Sequence, residues 1–267
     1  MSTPLTQERP RLADAAAEDP RPRGLIARLA VIIGHAVAGI FGYLRDQVAR
    51  GMLAVGITPN MVTVMGPLVL TPVAVAWYGG HQALGGWLLV AFGAFDLLDG
   101  AVARLGGKAT SFGAFLDSVM DRYSDGVIFA GAYLWLLHHT SGPQQTLYLN
   151  LWALSLVGTL LPSYVRARAE TLIPLCKVGF MERAERTVTM FIGAIFGNLH
   201  IALWILAFFG NLIAVERILY TREQLEPGSF RWGRLLWRYK RLSAPHVILC
   251  GALIALLIVG HHFIPRP

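Results

Sequence analysis

Long apolar runs, broken by short polar stretches, dominate the chain from about residue 60 onward. Crossing a bilayer takes about 20 apolar residues in a helix. Runs of that order occur at 62–78, 83–103, 112–138, 147–165 and 201–219. A shorter run at 187–195 cannot span alone. Extended back to about Gly179 it makes a sixth span, with Glu182 to Arg186 at its cytoplasmic end. A further run at 247–263 makes a seventh. Residues 25–53 are apolar but interrupted by Arg28, His35, Arg45, Asp46 and Arg50, which predicts an amphipathic helix lying at the membrane interface. The fold class predicted is all-α integral membrane: a six-helix transmembrane core, an amino-terminal interfacial helix and an extra carboxy-terminal transmembrane helix. The expected divisions are a tail at 1–24, the interfacial region at 25–56, the transmembrane domain at 57–220, a basic cytoplasmic loop at 221–244 and the extra helix at 245–267.

Composition agrees. Of the 267 residues, 55% are hydrophobic and only 15% charged, with mean hydropathy +0.52. A soluble domain needs a more charged surface. Loop charge sets the orientation. Segments 79–82 and 139–146 contain no Lys or Arg, whereas 104–111, 166–186 and 217–241 hold every Lys and Arg between Ala83 and Pro245 except Arg122. By the positive-inside rule these three basic loops, and the amino terminus, face the cytoplasm. The net charge of +7 suits anionic partners, either membrane lipid headgroups or phosphorylated substrates, and no nucleic acid is expected. Cys176 and Cys250 fall in a loop and an apolar run, too few and too far apart in setting for a metal cage or a disulfide framework. Residues 1–24 mix Pro, Ala and both signs of charge without an early apolar stretch, which predicts a disordered tail and not a cleavable signal peptide.

The chemistry concentrates in one place. Asp96, Asp99, Gly100, Ala103 and Arg104 are followed by Gly113, Asp117 and Asp121. On a helix the first four lie within a sector of about 100°, and the last three step by four along one face. Two consecutive helices can thus turn four carboxylates toward each other near the cytoplasmic boundary. Each Asp at mid-membrane costs on the order of 3 kcal/mol, so four need an offsetting partner. Divalent cations with oxygen ligands supply one, and a pair of them can clamp a diphosphate. Gly100 and Gly113 allow a nucleotide close to the backbone, and Arg104 offers a bidentate phosphate contact. The competing explanation is a cation or proton path in a transporter, which has no evident need for these small residues and Arg104 at fixed offsets.

The pattern Asp-x2-Asp-Gly-x2-Ala-Arg-x8-Gly-x3-Asp-x3-Asp resembles that of the CDP-alcohol phosphatidyltransferase family, with every fixed position filled. The resemblance covers about 43–220. It implies transfer of a phosphatidyl group from a CDP-lipid such as CDP-diacylglycerol to a small alcohol, with release of CMP, in a multi-pass membrane homodimer whose active site faces the cytoplasm. It implies that Asp96, Asp99, Asp117 and Asp121 hold two Mg²⁺ or Mn²⁺ ions and that Asp121 is the general base. It also implies that Gly100, Ala103, Arg104, Thr110 and Gly113 meet the CDP-lipid. The stretch from Thr58 to Thr63 looks like the family's entry to its first spanning helix, where Asn60 and Thr63 face the nucleotide.

The segments 163–170 and 179–186 resemble the family's phosphatidylinositol-phosphate and archaetidylinositol-phosphate synthase branch. That likeness implies an inositol phosphate as the acceptor, its phosphate held by Arg166, Arg186 and Arg217. Physically, a phosphorylated acceptor needs cationic donors beside the carboxylates. Arg166 stands where the branch commonly has Lys. Glycerol 3-phosphate is the rival acceptor, and a prenyl-diphosphate enzyme the rival chemistry, although that class lacks this Gly-Arg-Gly spacing. Asp125, one turn beyond Asp121, is expected to support the site by hydrogen bonds and not as a metal ligand. His138 and His139 are expected at the far membrane face.

Overall fold

The computed structural model describes the backbone of residues 25–226 and 244–259, and the side chains of residues 39–95, 97–226 and 248–259. The expected tail at 1–24, most of the expected basic loop and the end of the expected last helix lie outside the described residues. Within them all regular structure is helical. The elements are α1 (Leu25–Ala54), α2 (Pro59–Val69), α3 (Thr71–Tyr78), α4 (Gln82–Gly93), α5 (Asp96–Leu105), α6 (Ser111–His139), α7 (Gly142–Ala169), α8 (Arg183–Ile195), α9 (Leu199–Ile205), a π-helical turn (Leu206–Gly210), α10 (Asn211–Leu225) and α11 (Ala244–Val259).

Among the described residues three stretches are long and apolar enough to cross a membrane: Pro59–Tyr78, Gly142–Ala169 and Leu199–Leu225. Large apolar side chains such as Leu68, Val75, Val157 and Phe208 stay exposed on their outer faces. In water such surface would drive association, whereas lipid accepts it as solvent. The 29-residue α6 is about 43 Å long at 1.5 Å per residue, but its first half carries Asp117, Asp121, Arg122 and Asp125. It packs along α2 and α3 on one side and α7 on another, while α4 lies on α8 and α10 on α7. The core includes Trp77, Leu89, Phe129, Leu136, Met190 and Leu206.

The boundaries differ from the sequence expectation in three places. The expected span at 83–103 is two helices. At the break, Phe95, Leu97 and Leu98 donate to the carbonyls of Phe92, Ala94 and Phe95, a tighter i→i+3 pattern that turns the chain just before the acidic segment. The expected span at 62–78 is also divided. Pro72 has no N–H to continue α2 past Leu70, so α3 begins anew at Thr71. The sixth helix does not reach back to Gly179, which has φ +103° in the left-handed region. It starts at Arg183, where the Glu182 and Glu185 side chains form a reciprocal capping box.

Close backbone approach joins α7 to the π-helical turn. A Cβ on Gly210 would overlap the Gly158 carbonyl oxygen and lie 2.9 Å from its Cα. Gly158 also loses its usual helical donor, because Pro162 four residues on has no N–H. Asn211 fastens the same junction, its Nδ2 donating to the carbonyls of Leu154 at 3.0 Å and Ala207 at 2.7 Å. Gly210→Val is therefore expected to destabilise the fold by about 3 kcal/mol, since backbone cannot yield as a side chain can. A Tm in detergent equal to that of the parent would show that the two helices do not meet this closely.

Candidate active site

Three caps place the polar residues. Thr58 Oγ1 accepts from the Met61 N–H at 3.4 Å, with Pro59 at the first helical position, and so starts α2 where Asn60 and Thr63 follow within one turn. Thr110 Oγ1 accepts from the Gly113 N–H at 3.0 Å and starts α6. The Glu182–Glu185 box starts α8 and so sets Arg183 and Arg186 on its first turn.

Between the start of α2, α5, the loop after it and the start of α6 lies a cavity of about 210 Å³. Asn60, Thr63, Gly100, Ala103, Arg104, Thr110 and Gly113 all line it, and so do Asp99 and Asp117. Thr63 Oγ1 donates to Asp99 Oδ2 at 2.8 Å and also reaches the Pro59 carbonyl at 3.1 Å, tying α2 to α5. The second Asp99 oxygen accepts from the Gly100 N–H. Two glycines keep the space open: a Cβ on Gly100 would come within 3.3 Å of Arg104 Nη1, and one on Gly113 within 3.2 Å of Thr110 Oγ1. Lys108 also lines this cavity. Nothing in the chain's motif singles it out, because the loop spacing leaves its direction open.

A second, larger cavity of about 670 Å³ is bounded by α6, α7, α8 and α10. Arg166, Arg186 and Arg217 line it together, and Asp121 stands at its wall. Asp121 pairs with Arg183 at 2.8 Å and with Arg122 at 3.8 Å. Sequence reading did not pick out Arg122, Ser163 or Arg183. For Arg183 a signal was present, since it lies three residues before Arg186 and shares its helix face. Arg217 is 3% exposed and held by the carbonyls of Pro162 at 2.6 Å and Val178 at 3.1 Å. Arg166 is half-buried and pairs with Glu170 at 3.0 Å. In the loop after α7, burial raises the Glu170 pKa, but the Arg166 guanidinium and the Cys176 N–H outweigh it, leaving that carboxyl below its usual range. Burial pushes the Cys176 thiol up, which leaves it protonated and inert in its apolar cluster. His138 stacks edge-on against Tyr78, and His139 stacks on Trp135, at the opposite end of α6 from the acidic residues.

The donor set of facing helices consists of carboxylate oxygens, which suits a hard divalent cation. The backbone of Asp96 opens α5, and its side chain is outside those described. Among the described side chains no three of His, Cys, Asp or Glu gather closely enough to hold an ion. Asp99 and Asp117 share the first cavity, while Asp121 lines the second.

The model of the CDP-alcohol phosphatidyltransferase family matches residues 56–216. The chain belongs to that family. The matched segment contains every residue of the first cavity and, apart from Arg217, every residue of the second. Among its relatives, the archaetidylinositol phosphate synthase of Pyrococcus horikoshii is 34% identical over 185 residues, covering 68% of this chain and 93% of that one. The phosphatidylinositol phosphate synthase of Mycobacteroides abscessus is 34% identical over 197 residues, covering 71% and 87%. Among solved structures, the phosphatidylinositol phosphate synthase of Mycobacterium tuberculosis with CDP-DAG bound matches with TM-score 0.63 and 32% identity, covering 70% of this chain and 96% of that one. The same Mycobacterium tuberculosis enzyme in complex with manganese and citrate matches with TM-score 0.62 over 69% of this chain and 90% of that one. This member of the family is a membrane enzyme, and its helices α1 and α11 reach beyond the matched segment on either side.

Proposed function

We propose that this chain transfers the phosphatidyl group of CDP-diacylglycerol to a hydroxyl of an inositol phosphate and releases CMP. The observation that carries this reading is the pair of cavities meeting on α6. Asp117 lines the one built from the nucleotide motif, and Asp121, a single turn further on, lines the one walled by arginines. A donor phosphate in the first and an acceptor hydroxyl in the second would therefore lie about one helical turn apart, near 6 Å. The inositol-phosphate acceptor is supported by the named activities of the relatives and by the five arginines of the second cavity.

In this reading Asp96, Asp99, Asp117 and Asp121 hold Mg²⁺ or Mn²⁺. When bound, these ions supply charge neutralisation on the diphosphate and on the attacking and leaving oxygens. The chain's own groups do the rest. Asn60, Thr63 and Thr110 offer polar contacts to the nucleotide at open helix starts, and Arg104 holds a donor phosphate by its fork. Arg166 and Arg186, with Arg183 beside them, orient the acceptor by its phosphate, while Arg217, held on the Pro162 and Val178 carbonyls, adds its charge to the cavity. Asp121 takes the proton of the acceptor hydroxyl. That oxygen bonds to the lipid-bearing phosphorus as the bond from this phosphorus to CMP breaks. No covalent enzyme intermediate is needed. The six-helix core then comprises Pro59–Tyr78, α4 with α5, α6, α7, α8 and Leu199–Leu225, whose last turn runs past the domain expected at 57–220. The basic loops support a cytoplasmic side for both cavities.

The test is CMP release by purified protein with CDP-diacylglycerol and Mg²⁺ or Mn²⁺, comparing inositol phosphate, glycerol 3-phosphate, free inositol and no acceptor. Release with inositol phosphate alone is expected. Release with glycerol 3-phosphate in its place would reassign the arginine cavity, and release with none would remove the activity.

A further inference from the structure

One buried carboxylate, Asp125, has no part in the transfer chemistry described above. It is 4% exposed and lies one turn deeper on α6 than Asp121. It lines neither of the two cavities described above but a void of about 10 Å³ behind Arg186, apart from the substrates placed there. Its oxygens instead face arginines: Oδ2 accepts from Arg122 Nη1 at 3.4 Å, and Oδ1 stands 3.6 Å from Arg183 Nε. From these two contacts a chain of bonds runs to the acceptor cavity. Arg122 Nη1 also donates to Ser163 Oγ on α7 at 3.0 Å, and the same hydroxyl accepts from Arg186 Nη2 at 3.4 Å. The other branch passes through Arg183, whose Nη1 reaches Asp121 at 2.8 Å.

We propose that Asp125 is a positioning residue that fixes the spacing of Arg183 and Arg186 and so prepares the cavity for a phosphate monoester. The inference rests on the inositol-phosphate reading given above. Five guanidinium groups line one cavity and repel one another, and a flexible arginine loses entropy when a ligand orders it. A buried carboxylate behind them lowers both penalties before the acceptor arrives, which is preorganisation. The carboxylate must be charged to do this. Asparagine has the same shape but cannot balance two cations.

The measurement is calorimetric titration of inositol phosphate into detergent-solubilised protein with Mg²⁺, alongside steady-state CMP release. For Asp125→Asn the expected result is at least a tenfold rise in the Kd and the KM for inositol phosphate. The KM for CDP-diacylglycerol should stay within twofold and kcat at saturating acceptor within about threefold. A merely structural role would move all of these together with Tm. Folded Asp125→Asn that binds inositol phosphate as tightly as the parent overturns the role of Asp125. Where Asp125→Asn does not fold, Ser163→Ala cuts the same chain nearer Arg186 and is expected to raise the Kd about fivefold; an unchanged Kd there overturns the proposal too. Parent protein that binds no inositol phosphate overturns the acceptor reading, and this inference with it.

Discussion

Asp121→Asn is expected to lower kcat at least ~10³-fold while leaving Tm within a few degrees of the parent, as measured by CMP release and thermal unfolding in detergent. General-base assistance alone contributes roughly 10²–10⁴-fold, and a carboxylate in the cation-binding set adds to that. Position supports the assignment. Asp121 lies one turn from Asp117 on a rigid helix, keeps 18% of its side chain exposed at the second cavity and is oriented by Arg183 at 2.8 Å. The fold should tolerate the change, because Arg183 retains a second carboxylate, Asp125, at 3.6 Å. Turnover near that of the parent would remove Asp121 from the chemistry and leave Asp117 as the carboxylate to test next.

Arg186→Gln is expected to raise the KM for inositol phosphate about 10–150-fold with the KM for CDP-diacylglycerol nearly unchanged. Hydrogen bonds to charged groups contribute roughly 1.5–3 kcal/mol, and each 1.4 kcal/mol is tenfold. Arg186 is 3% exposed, with its Nη2 on Ser163. A guanidinium buried this deeply is stabilised by an anion in the cavity that it lines. Arg186→Lys should fall between the parent and Gln, since an ammonium keeps the charge and loses the planar fork. Equal acceptor KM values for all three proteins would take Arg186 out of acceptor binding.

Much of the first cavity was legible in the one-dimensional pattern. Asp99, Gly100, Ala103 and Arg104 share one helix, and Thr110, Gly113 and Asp117 the start of the next. Helical periodicity alone puts each set on one face, and a five-residue loop forces the helices to meet. The arginine-lined cavity was only partly legible. Arg166, Arg186 and Arg217 come from three helices separated by long intervals, and a basic loop reads the same whether its arginines hold a phosphate or merely orient the chain in the membrane. Arg122 stood out only as the one Lys or Arg between Ala83 and Pro245 outside the basic loops, and the structure makes Ser163 and Asp125 its partners. Glu182 and Glu185, acids beside the arginines in sequence, turned out to cap α8.

What the sequence by itself determined is the local physics. It set the helical, lipid-compatible runs, the capping threonines, and the acidic and small residues at offsets that one helix face can present. The tertiary structure alone decided which helices touch. Glycine contacts bring the Gly210 turn against Gly158, and Arg217 then docks on the Pro162 carbonyl. Those contacts place α7, α8 and α10 around one arginine-lined space. Distances between helices depend on packing summed over many side chains, and no spacing rule along a single chain encodes that sum.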